Sequence, residues 1–383
     1  MSKIKIAFIL NLDKNWLGGV NYFRNLLNIL LEDKNNNFEI VIFIPSNCDM
    51  NLLKDYPNIK IVKTKILKKY SFYWFINKIF HILIKWDILL ELLLKYYKID
   101  MISHLLEIKY IKSIYILGWI PDFQHKYLTN LFSNRDIFLR DKLYNIMAEE
   151  YDGIILSSKD AERDFKKFFK HTKVKTHILQ FVAPVKKITY NKDYLFNKYG
   201  IEGDFFYVPN QFWQHKNHKI ILEALNYLKG TPIIVYCTGN INDYRNKNYF
   251  SKLLSYIKKY KLENNFKILG AVPYKDVQAL MLGCKAMINP SLFEGWSTTV
   301  EEAKSLGKRI ILSDIMVHKE QNPEGGLFFK KNEAKDLADK MLQVWNEPIE
   351  INKKLEKNAI NNLNKRKYKL RKDYYNIIND YKK

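Results

Sequence analysis

Short apolar runs alternate with longer helical patterns along this chain, and that rhythm restricts its fold more than any other feature. In the first half, the runs are KIAFIL (5–10), EIVIFIP (39–45), MISHL (101–105), SIYILGWIP (113–121) and YDGIILSS (151–158). A helical pattern, GVNYFRNLLNILLED (19–33), follows the first run. Strands that alternate with helices form parallel sheets covered by helices on both faces.

The same alternation restarts after residue 200. The second set of runs is FFYVPN (205–210), TPIIVYCTG (231–239), NFKILGAV (265–272), AMINPS (286–291) and RIILSD (309–314). We therefore predict an α/β protein of two doubly wound, Rossmann-like domains, joined near residues 185–203. The predicted domains are 1–185 and 203–365, and a basic helix (366–383) either packs back on the first domain or lies free.

Size and composition agree with this prediction. A chain of 383 residues with 47% hydrophobic and 27% charged residues can form two or three domains with buried cores. Its three cysteines (Cys48, Cys237 and Cys284) are far apart, so neither a disulfide framework nor a structural zinc site is indicated. The N-terminal apolar run is short for a signal peptide, and no apolar stretch reaches the roughly 18 residues of a spanning helix, which favours the cytoplasm.

The net charge of +23 is the one unusual global property. A strongly basic protein binds nucleic acid or an anionic membrane in many cases. The alternative is that the joint abundance of Lys, Asn and Ile reflects the base composition of the genome rather than a binding partner. Because the basic residues are spread along the chain and no nucleic-acid-binding module is recognisable, we expect no nucleic-acid partner.

Residues 74–98, WFINKIFHILIKWDILLELLLKYYK, predict an amphipathic helix with a narrow polar stripe. Such a helix either packs in a core or lies in a membrane interface. The basic segments KTKILKKY (63–70) and KKFFKHTKVK (166–175) favour a basic face on the first domain, and hence a peripheral position on the inner face of the cytoplasmic membrane.

The segment SLFEGWSTTVEEAKSLG (291–307) carries the clearest chemical signal. It follows a predicted buried strand, and Thr298 with Glu301 three residues later predicts a helix N-cap with a capping box. Glu294 then lies on the loop at the carboxyl end of the strand, and Glu302 lies about one turn inside the helix. Free amides at a helix start bind anions, and ligands of open α/β sheets bind at this edge. The pattern fits a sugar nucleotide. The alternative is that Glu301 and Glu302 are present only because the helix dipole favours acidic residues in the first turn.

This segment resembles the E-x7-E element of the family 4 (group 1) glycosyltransferases, which have the GT-B fold of two Rossmann-like domains facing across a cleft. The resemblance extends over most of the chain and rests on the order and spacing of several motifs. These are WLGGV (16–20), WIPDFQHKYLTNLFS (119–133), YVPNQFWQHKNH (207–218), ILGAVPYKDV (268–277), NPSLFEGW (289–296) and LFF (327–329).

The resemblance implies roles for the residues of the E-x7-E element. Glu294 would contact the donor sugar and Glu302 the ribose. The backbone amides around Ser297, Thr298 and Thr299 would hold the diphosphate. Most relatives have Gly-Phe-Gly-Leu-Pro after the first Glu, whereas this chain has Gly-Trp-Ser-Thr-Thr, which adds hydroxyl groups.

It also implies roles for basic and glycine residues elsewhere. Lys216 would neutralise the diphosphate. Gln211 stands at a donor-binding position where the family commonly has Arg, so His215 or Arg245 would have to supply that charge. Gly18 and Gly19 would let backbone amides approach a phosphate; the alternative is a tight turn that needs positive φ.

Two further motifs complete the expected site. His125 is the candidate contact for the transferred sugar or the acceptor, with Asp122 at the donor; the alternatives are a loop histidine satisfied by backbone and an Asp N-cap. The turn with Gly270 and Val272 would read the nucleotide base through its backbone.

The family resemblance implies a retaining, metal-independent transfer of a sugar from a nucleotide diphosphate to a saccharide or lipid-linked acceptor, as in bacterial surface-polysaccharide synthesis. It implies no metal and no cofactor beyond the donor itself. The alternative on the same architecture is a sugar-nucleotide 2-epimerase, and the remote alternative is a nucleic-acid-binding protein. The sequence leaves open the donor sugar, the base, the linkage and the oligomeric state.

Overall fold

The computed structural model describes residues 3–12, 17–33, 37–185, 192–348 and 350–382. These residues form two compact units, each an α/β structure built on a parallel sheet. The first unit comprises Met1–Phe123, Ser133–Phe181 and Lys367–Lys383, and the second comprises Gln124–Phe132 and Val182–Arg366. The predicted α/β class is therefore confirmed.

The sheet of the first unit has seven strands in the order β3-β2-β1-β4-β5-β6-β7, and all of its pairings are parallel. Its strand order reverses between β1 and β4, so the loops after these two strands diverge there and open a crevice. The strands are β1 (Ile4–Ile9), β2 (Phe38–Pro45), β3 (Lys60–Thr64), β4 (Met101–Leu105), β5 (Tyr115–Ile120), β6 (Gly153–Leu156) and β7 (Lys175–Ile178).

Helices follow most of these strands, as parallel connections require. The helices over this part of the chain are α1 (Leu17–Leu31), α2 (Phe72–Leu83), α3 (Ile88–Tyr96), α4 (Gln124–Tyr127), α5 (Asn134–Glu150) and α6 (Lys159–Phe168). The short α4 belongs to the second unit, although the chain on both sides of its segment belongs to the first. Serine hydroxyls cap α2, α5 and α6, accepting from amides three residues into each helix.

The sheet of the second unit has six parallel strands in the order β10-β9-β8-β11-β12-β13. Here the order reverses between β8 and β11. The strands are β8 (Phe206–Val208), β9 (Val235–Thr238), β10 (Phe266–Gly270), β11 (Ala286–Asn289), β12 (Ile310–Ser313) and β13 (Gly326–Phe329).

Helices cover both faces of this second sheet. They are α7 (Lys192–Tyr199), α8 (His218–Tyr227), α9 (Tyr249–Tyr260), α10 (Tyr274–Gly283), α11 (Thr298–Leu306), α12 (Met316–Gln321), α13 (Ala334–Asn346) and α14 (Glu350–Asn379). Successive residues of β8 point into different cores: Phe206 and Val208 pack in one apolar cluster, and Tyr207 packs in the other. A strand buried on both faces reads as a continuous apolar run, which is why the sequence predicts it as one.

Helix α14 contributes to both units. Its first part, through Arg366, belongs to the second unit, where Leu355 and Ala359 are buried. Its last part belongs to the first unit, where Leu370 and Tyr374 are buried with Ile377 and Ile378.

The single helix predicted over 74–98 is wrong, because the structure has two helices there. Helix α2 ends at Leu83 and α3 begins at Ile88, and Lys85 between them has a positive φ of 46°. A buried carboxylate explains the break. Asp87 accepts hydrogen bonds from the Asn77 side chain (2.6 Å) and the Tyr110 amide (2.8 Å), so the chain turns to bring it inward.

Three strands, β3, β7 and β13, are not predicted by the apolar runs. Each lies at an edge of its sheet, with a neighbouring strand on one side only. Edge strands carry charged residues that discourage pairing with other chains, and β3 (KIVKT) and β7 (KTHI) both contain lysine. The lysines of β3 and β7 thus interrupt the apolar runs by which the inner strands are predicted.

Candidate functional site

The point where the strand order reverses in the second unit brings two predicted site residues together. Lys216 lies in a short 3-10 turn (Gln214–Lys216) after β8, and Glu294 lies in the loop after β11. Their side chains form an ion pair, with Lys216 Nζ donating to Glu294 Oε1 at 2.6 Å. Only 16% and 10% of these side chains are exposed, so the pair is held in a largely desolvated crevice.

Buried polar side chains fix the position of Glu294. Ser291 Oγ lies 2.7 Å from Glu294 Oε1 and 2.7 Å from Asn289 Oδ1. Asn289, the last residue of β11, also donates to Ser297 Oγ at 2.8 Å, and Asn210 donates to Asn289 Oδ1 at 3.3 Å. Sequence reasoning did not single out these residues. The signal was available: an Asn stands at or just after the end of both strands that meet at the reversal, in VPN (208–210) and INP (288–290).

The helix start after Glu294 differs from the prediction in its capping. Helix α11 begins at Thr298, and its N-cap is Ser297 rather than Thr298. Ser297 Oγ accepts from the Val300 amide, and the predicted capping box does not form. The Ser297 amide donates instead to Gln321 Oε1 at 3.1 Å, while Gln321 Nε2 donates to the Ser297 carbonyl at 3.0 Å.

This capping decides which amides remain for an anion. The Ser297 and Val300 amides are occupied by protein acceptors, and the contact of Ser297 with a diphosphate stays a prediction. Within the described ranges, the amides of Thr298 and Thr299 donate to no protein group, as is usual for the first turn of a helix. The Thr299 hydroxyl donates to Asn210 Oδ1 at 3.1 Å, which ties the helix start to the loop after β8.

The two glutamates of α11 have different surroundings. Glu301 is buried and pairs with Lys304 (3.1 Å) and Arg366. Glu302 is 9% exposed and accepts a hydrogen bond from the Tyr274 hydroxyl at 3.0 Å. Glu301 is therefore structural, whereas Glu302 lies beside the turn that precedes α10.

That turn contains the predicted base-reading residues. Gly270 ends β10 with a φ of 70°, and its carbonyl accepts from the Gly239 amide at 2.9 Å. Val272 is half-buried in the loop before α10, two residues from Tyr274. The contact between Tyr274 and Glu302 thus joins the predicted base and ribose contacts in one region of the second unit.

Gln211 stands where the family that the sequence resembles commonly has Arg, and its side chain bonds to the backbone. Its Oε1 accepts from the Asn240 amide at 2.7 Å, so it links the loops after β8 and β9. The positive charge nearby comes from Arg245, whose side chain is 7% exposed.

Arg245 is held by aromatic and polar neighbours. Its guanidinium carbon lies 5.2 Å from the ring centre of Phe132 and 5.3 Å from those of Trp213 and Tyr244. Nη2 lies 3.0 Å from His215 Nδ1, and Nη1 donates to Gln124 Oε1 at 2.7 Å. Such contacts stabilise a buried cation. Arg245 therefore contacts His215, which is the residue before Lys216 in the sequence.

The buried histidines around the crevice are neutral. Burial, followed by the charges of Lys216 and Arg245, holds the pKa of His215 well below its usual range. Burial also lowers the pKa of His318 to about 4, although the Glu294 charge and the Ser313 backbone oppose that shift. The positive charge of the crevice at neutral pH therefore comes from Lys216 and Arg245.

Asp122 and His125 fall in different units. Asp122 is in the first unit, where its Oδ1 lies 3.7 Å from Arg140 Nη1. His125 is in α4 of the second unit, fully buried, with its ring 6.3 Å from that of Phe132. Tyr127 of the same segment stacks on Phe293 at 5.5 Å, beside Glu294. A contact between His125 and a sugar stays a prediction.

Gly18 and Gly19 lie in the first turn of α1 in the first unit. Neither has a positive φ, so the alternative of a tight turn is wrong for both. Gly18 is exposed, and a Cβ built on it meets nothing within 4 Å. The space beside Gly18 is therefore open, as close approach of a ligand to the backbone would require.

Comparisons with known proteins agree with the fold. Residues 192–362 match the family of glycosyl transferases group 1. The N,N'-diacetylbacillosaminyl-diphospho-undecaprenol alpha-1,3-N-acetylgalactosaminyltransferase of Campylobacter jejuni is 38% identical over 97 residues. That match covers 24% of this chain and 25% of the relative, so it spans only about a quarter of the relative's length.

Solved structures extend the likeness to nearly the whole chain. A glycosyltransferase from Rickettsia africae ESF-5 superposes with a TM-score of 0.72 at 16% identity, covering 100% of this chain and 99% of that one. Anabaena HepE, solved in complex with UDP-glucose, gives 0.72 at 13% identity, covering 98% and 100%. At these identities the likeness concerns the fold.

The two parallel-sheet units and the likeness to the solved structures show the GT-B fold. The residues that match the glycosyl transferases group 1 family, 192–362, lie within the second unit and include Lys216, Glu294 and Glu302. In the described part of the chain, His, Cys, Asp and Glu form no cluster of three or more that could hold a metal. None of the described helices has the length and apolar character needed to cross a bilayer.

Proposed function

We propose that this protein transfers a sugar, with retention of configuration, from a nucleotide diphosphate donor to a saccharide or lipid-linked acceptor in surface-glycan synthesis. The observation that carries the proposal is the Lys216–Glu294 pair beside the open amides of Thr298 and Thr299, at the strand-order reversal of the second unit. The match of residues 192–362 to the group 1 glycosyl transferases and the lipid-linked acceptor in the Campylobacter relative's name support it.

The donor would occupy the crevice of the second unit. Its diphosphate would meet Lys216 and the α11 amides, because an ammonium group and a helix start both favour anions. Its ribose would meet Glu302 and its base the turn at Gly270. Glu294, released from part of its contact with Lys216 by the diphosphate, would accept a hydrogen bond from a sugar hydroxyl. The first unit would bind the acceptor, and Gly18 and Gly19 at the start of α1 stay the predicted contacts of a donor phosphate.

The proposed reaction needs no external base. The acceptor hydroxyl oxygen forms a bond to the anomeric carbon on the face from which the diphosphate leaves, and the bond between that carbon and the phosphate oxygen breaks. The hydroxyl proton passes to the departing diphosphate. Fixed positive groups lower the barrier by stabilising charge as it develops on the leaving group.

Nucleotide sugars test the donor site directly. Incubation with a panel of uridine and guanosine diphosphate sugars should give slow hydrolysis of one donor, and calorimetry should detect binding of the matching nucleoside diphosphate. Conversion of the donor sugar to an epimer without an acceptor would instead identify an epimerase. No binding of any nucleoside diphosphate would refute the proposal.

Substitution of Lys216 tests the chemistry. We expect Lys216→Ala to lower the turnover number by about 10²- to 10³-fold, the usual loss for one electrostatic contact to a transition state. Lys219→Ala is the matched control, since Lys219 is a nearby exposed lysine paired with Glu223. Equal rates for the two variants would remove Lys216 from the site.

A further inference from the structure

Helix α2 in the first unit has its apolar side chains on the outside. Phe72, Phe75, Ile79, Ile82 and Leu83 are between 42% and 75% exposed. Their spacing places them on one face of a helix, hereafter the α2 face. Most exposed apolar residues in proteins are scattered singly, whereas a contiguous group marks an interaction site.

The opposite side of α2 is polar and buried, so the helix cannot simply turn its apolar face inward. Asn77 is 6% exposed; its Nδ2 donates to Asp87 Oδ1 at 2.6 Å, and its Oδ1 accepts from the Leu89 amide at 3.1 Å. His81 Nδ1 lies 2.9 Å from Asp87 Oδ2. These contacts fix the rotation of α2 and commit the α2 face to solvent or to a partner.

Lysines surround the α2 face. Lys65, Lys68 and Lys69 are exposed just before the helix, and Lys85 is exposed just after it. Lys78 lies along its flank; burial, then the charges of Lys109 and Lys142, lower its pKa, although the charges of Asp87 and Glu107 oppose that shift. The acidic groups at this surface are few: Glu150 lies 3.6 Å from Lys85, Glu107 lies 3.2 Å from Lys109, and Asp87 is buried.

We propose that the α2 face inserts into the headgroup boundary of an anionic lipid bilayer. Apolar side chains enter the acyl boundary while lysine stems allow their charges to remain among anionic headgroups. A second copy of this chain is a poorer occupant, because a two-fold contact would bring the same lysines against each other. The inference rests on the proposed function only for its purpose, which is access to a membrane-bound acceptor.

The position of this surface fits that purpose. Trp74 of α2 and Lys69 also line a small crevice at the carboxyl ends of β1 and β2, together with Asn11, Glu107 and Lys109. This crevice lies at the strand-order reversal of the first unit, where ligands of open α/β sheets bind. An acceptor headgroup at the bilayer surface would therefore meet polar groups next to the inserted helix.

Vesicle flotation of the full-length protein tests the inference. We expect the protein to float with vesicles of phosphatidylcholine and phosphatidylglycerol, less with phosphatidylcholine alone, and less again at high salt. The double variant Phe75→Glu/Ile82→Glu should bind the anionic vesicles at least about tenfold more weakly, because two apolar side chains no longer insert. The control Phe196→Glu/Ile360→Glu changes two similarly exposed residues of the second unit and should bind like the wild type.

The outcomes separate this inference from the proposed function. Failure of the wild type to float, or equal binding by the two double variants, would overturn the membrane surface. If sedimentation shows that the protein forms a dimer through α2, and this dimer does not float, the occupant of the α2 face is a second copy and the inference is overturned as well. Hydrolysis of the donor sugar in solution should be unchanged by Phe75→Glu/Ile82→Glu. A wild-type protein that floats but hydrolyses no donor sugar would therefore count against the proposed function alone.

Discussion

At the scale of single residues, the candidate site is organised by side chains that do not themselves face a ligand. Gln321, on α12, takes the place of a capping box by binding both the amide and the carbonyl of Ser297. Asn289 and Ser291 hold Ser297 and Glu294 in the same way. The arrangement leaves the Thr298 and Thr299 amides as the open donors of the helix start, and it depends on Gln321, which is 24 residues from Ser297 in the sequence.

Replacement of Gln321 tests this dependence. Gln321→Leu should lower the free energy of unfolding by about 1–3 kcal/mol, because the buried Ser297 amide loses its acceptor. It should also weaken binding of the nucleoside diphosphate, since the helix start shifts. The control is Gln343→Leu, an exposed position on α13. Equal melting temperatures for the two variants would show that the Ser297 contact adds no stability.

At the scale of elements, buried carboxylates decide how the α2–α3 segment folds. Asp87 breaks the predicted helix, and Glu91 anchors α3 by accepting from Trp86 Nε1 (2.6 Å) and the Lys112 amide (3.0 Å). Burial tends to raise the pKa of Glu91, but these bonds and those from Ser113 and Lys95 outweigh it and lower the pKa to about 2. A segment whose sequence predicts one amphipathic helix is thereby divided into two helices: α2 has exposed apolar side chains, whereas Leu90 and Leu94 of α3 are buried.

The depressed pKa of Glu91 gives a pH prediction. A carboxylate with a lower pKa in the folded state stabilises the fold fully above its usual pKa and loses that effect as the pH falls towards about 2. Glu91→Gln should therefore reduce the free energy of unfolding at pH 7 by about 3 kcal/mol, and the difference from wild type should shrink between pH 5 and pH 2.

Urea unfolding at several pH values measures this effect. Glu263→Gln, at an exposed position, serves as the control and should leave the stability unchanged at every pH. A Glu91→Gln difference that persists undiminished at pH 2 would contradict the assigned origin of the stabilisation.

At the scale of the whole molecule, the two ends of the chain meet in the first unit. Tyr374 of α14 is fully buried, with its ring 5.9 Å from that of Phe38 and its hydroxyl donating to Ser103 Oγ at 3.1 Å. Lys367 and Arg371 pair with Glu32 at the end of α1. The basic C-terminal segment is thus part of a folded core, and its charge is partly neutralised there.

Truncation of Tyr374 tests how far the first unit depends on this segment. Tyr374→Ala should lower the free energy of unfolding by about 3–5 kcal/mol through loss of a buried aromatic ring. Tyr374→Phe should cost about 1 kcal/mol, the value of one hydrogen bond. Tyr368→Ala is the control, since Tyr368 is 63% exposed on the same helix. Equal melting temperatures for Tyr374→Ala and Tyr368→Ala would refute a structural role for the segment.

The sequence by itself determined the fold class and the central strands of both sheets, whereas the grouping of Lys216 and Glu294 at one donor site was implied by the family resemblance. Apolar period and the ends of apolar runs are local properties, so they can be read along the chain. It did not determine the edge strands β3, β7 and β13, the break between α2 and α3, the capping of α11 by Gln321, or the outward turn of the α2 face. Only tertiary structure decided these, because each depends on which distant partner satisfies a buried polar group, and that choice leaves no periodic trace in the sequence.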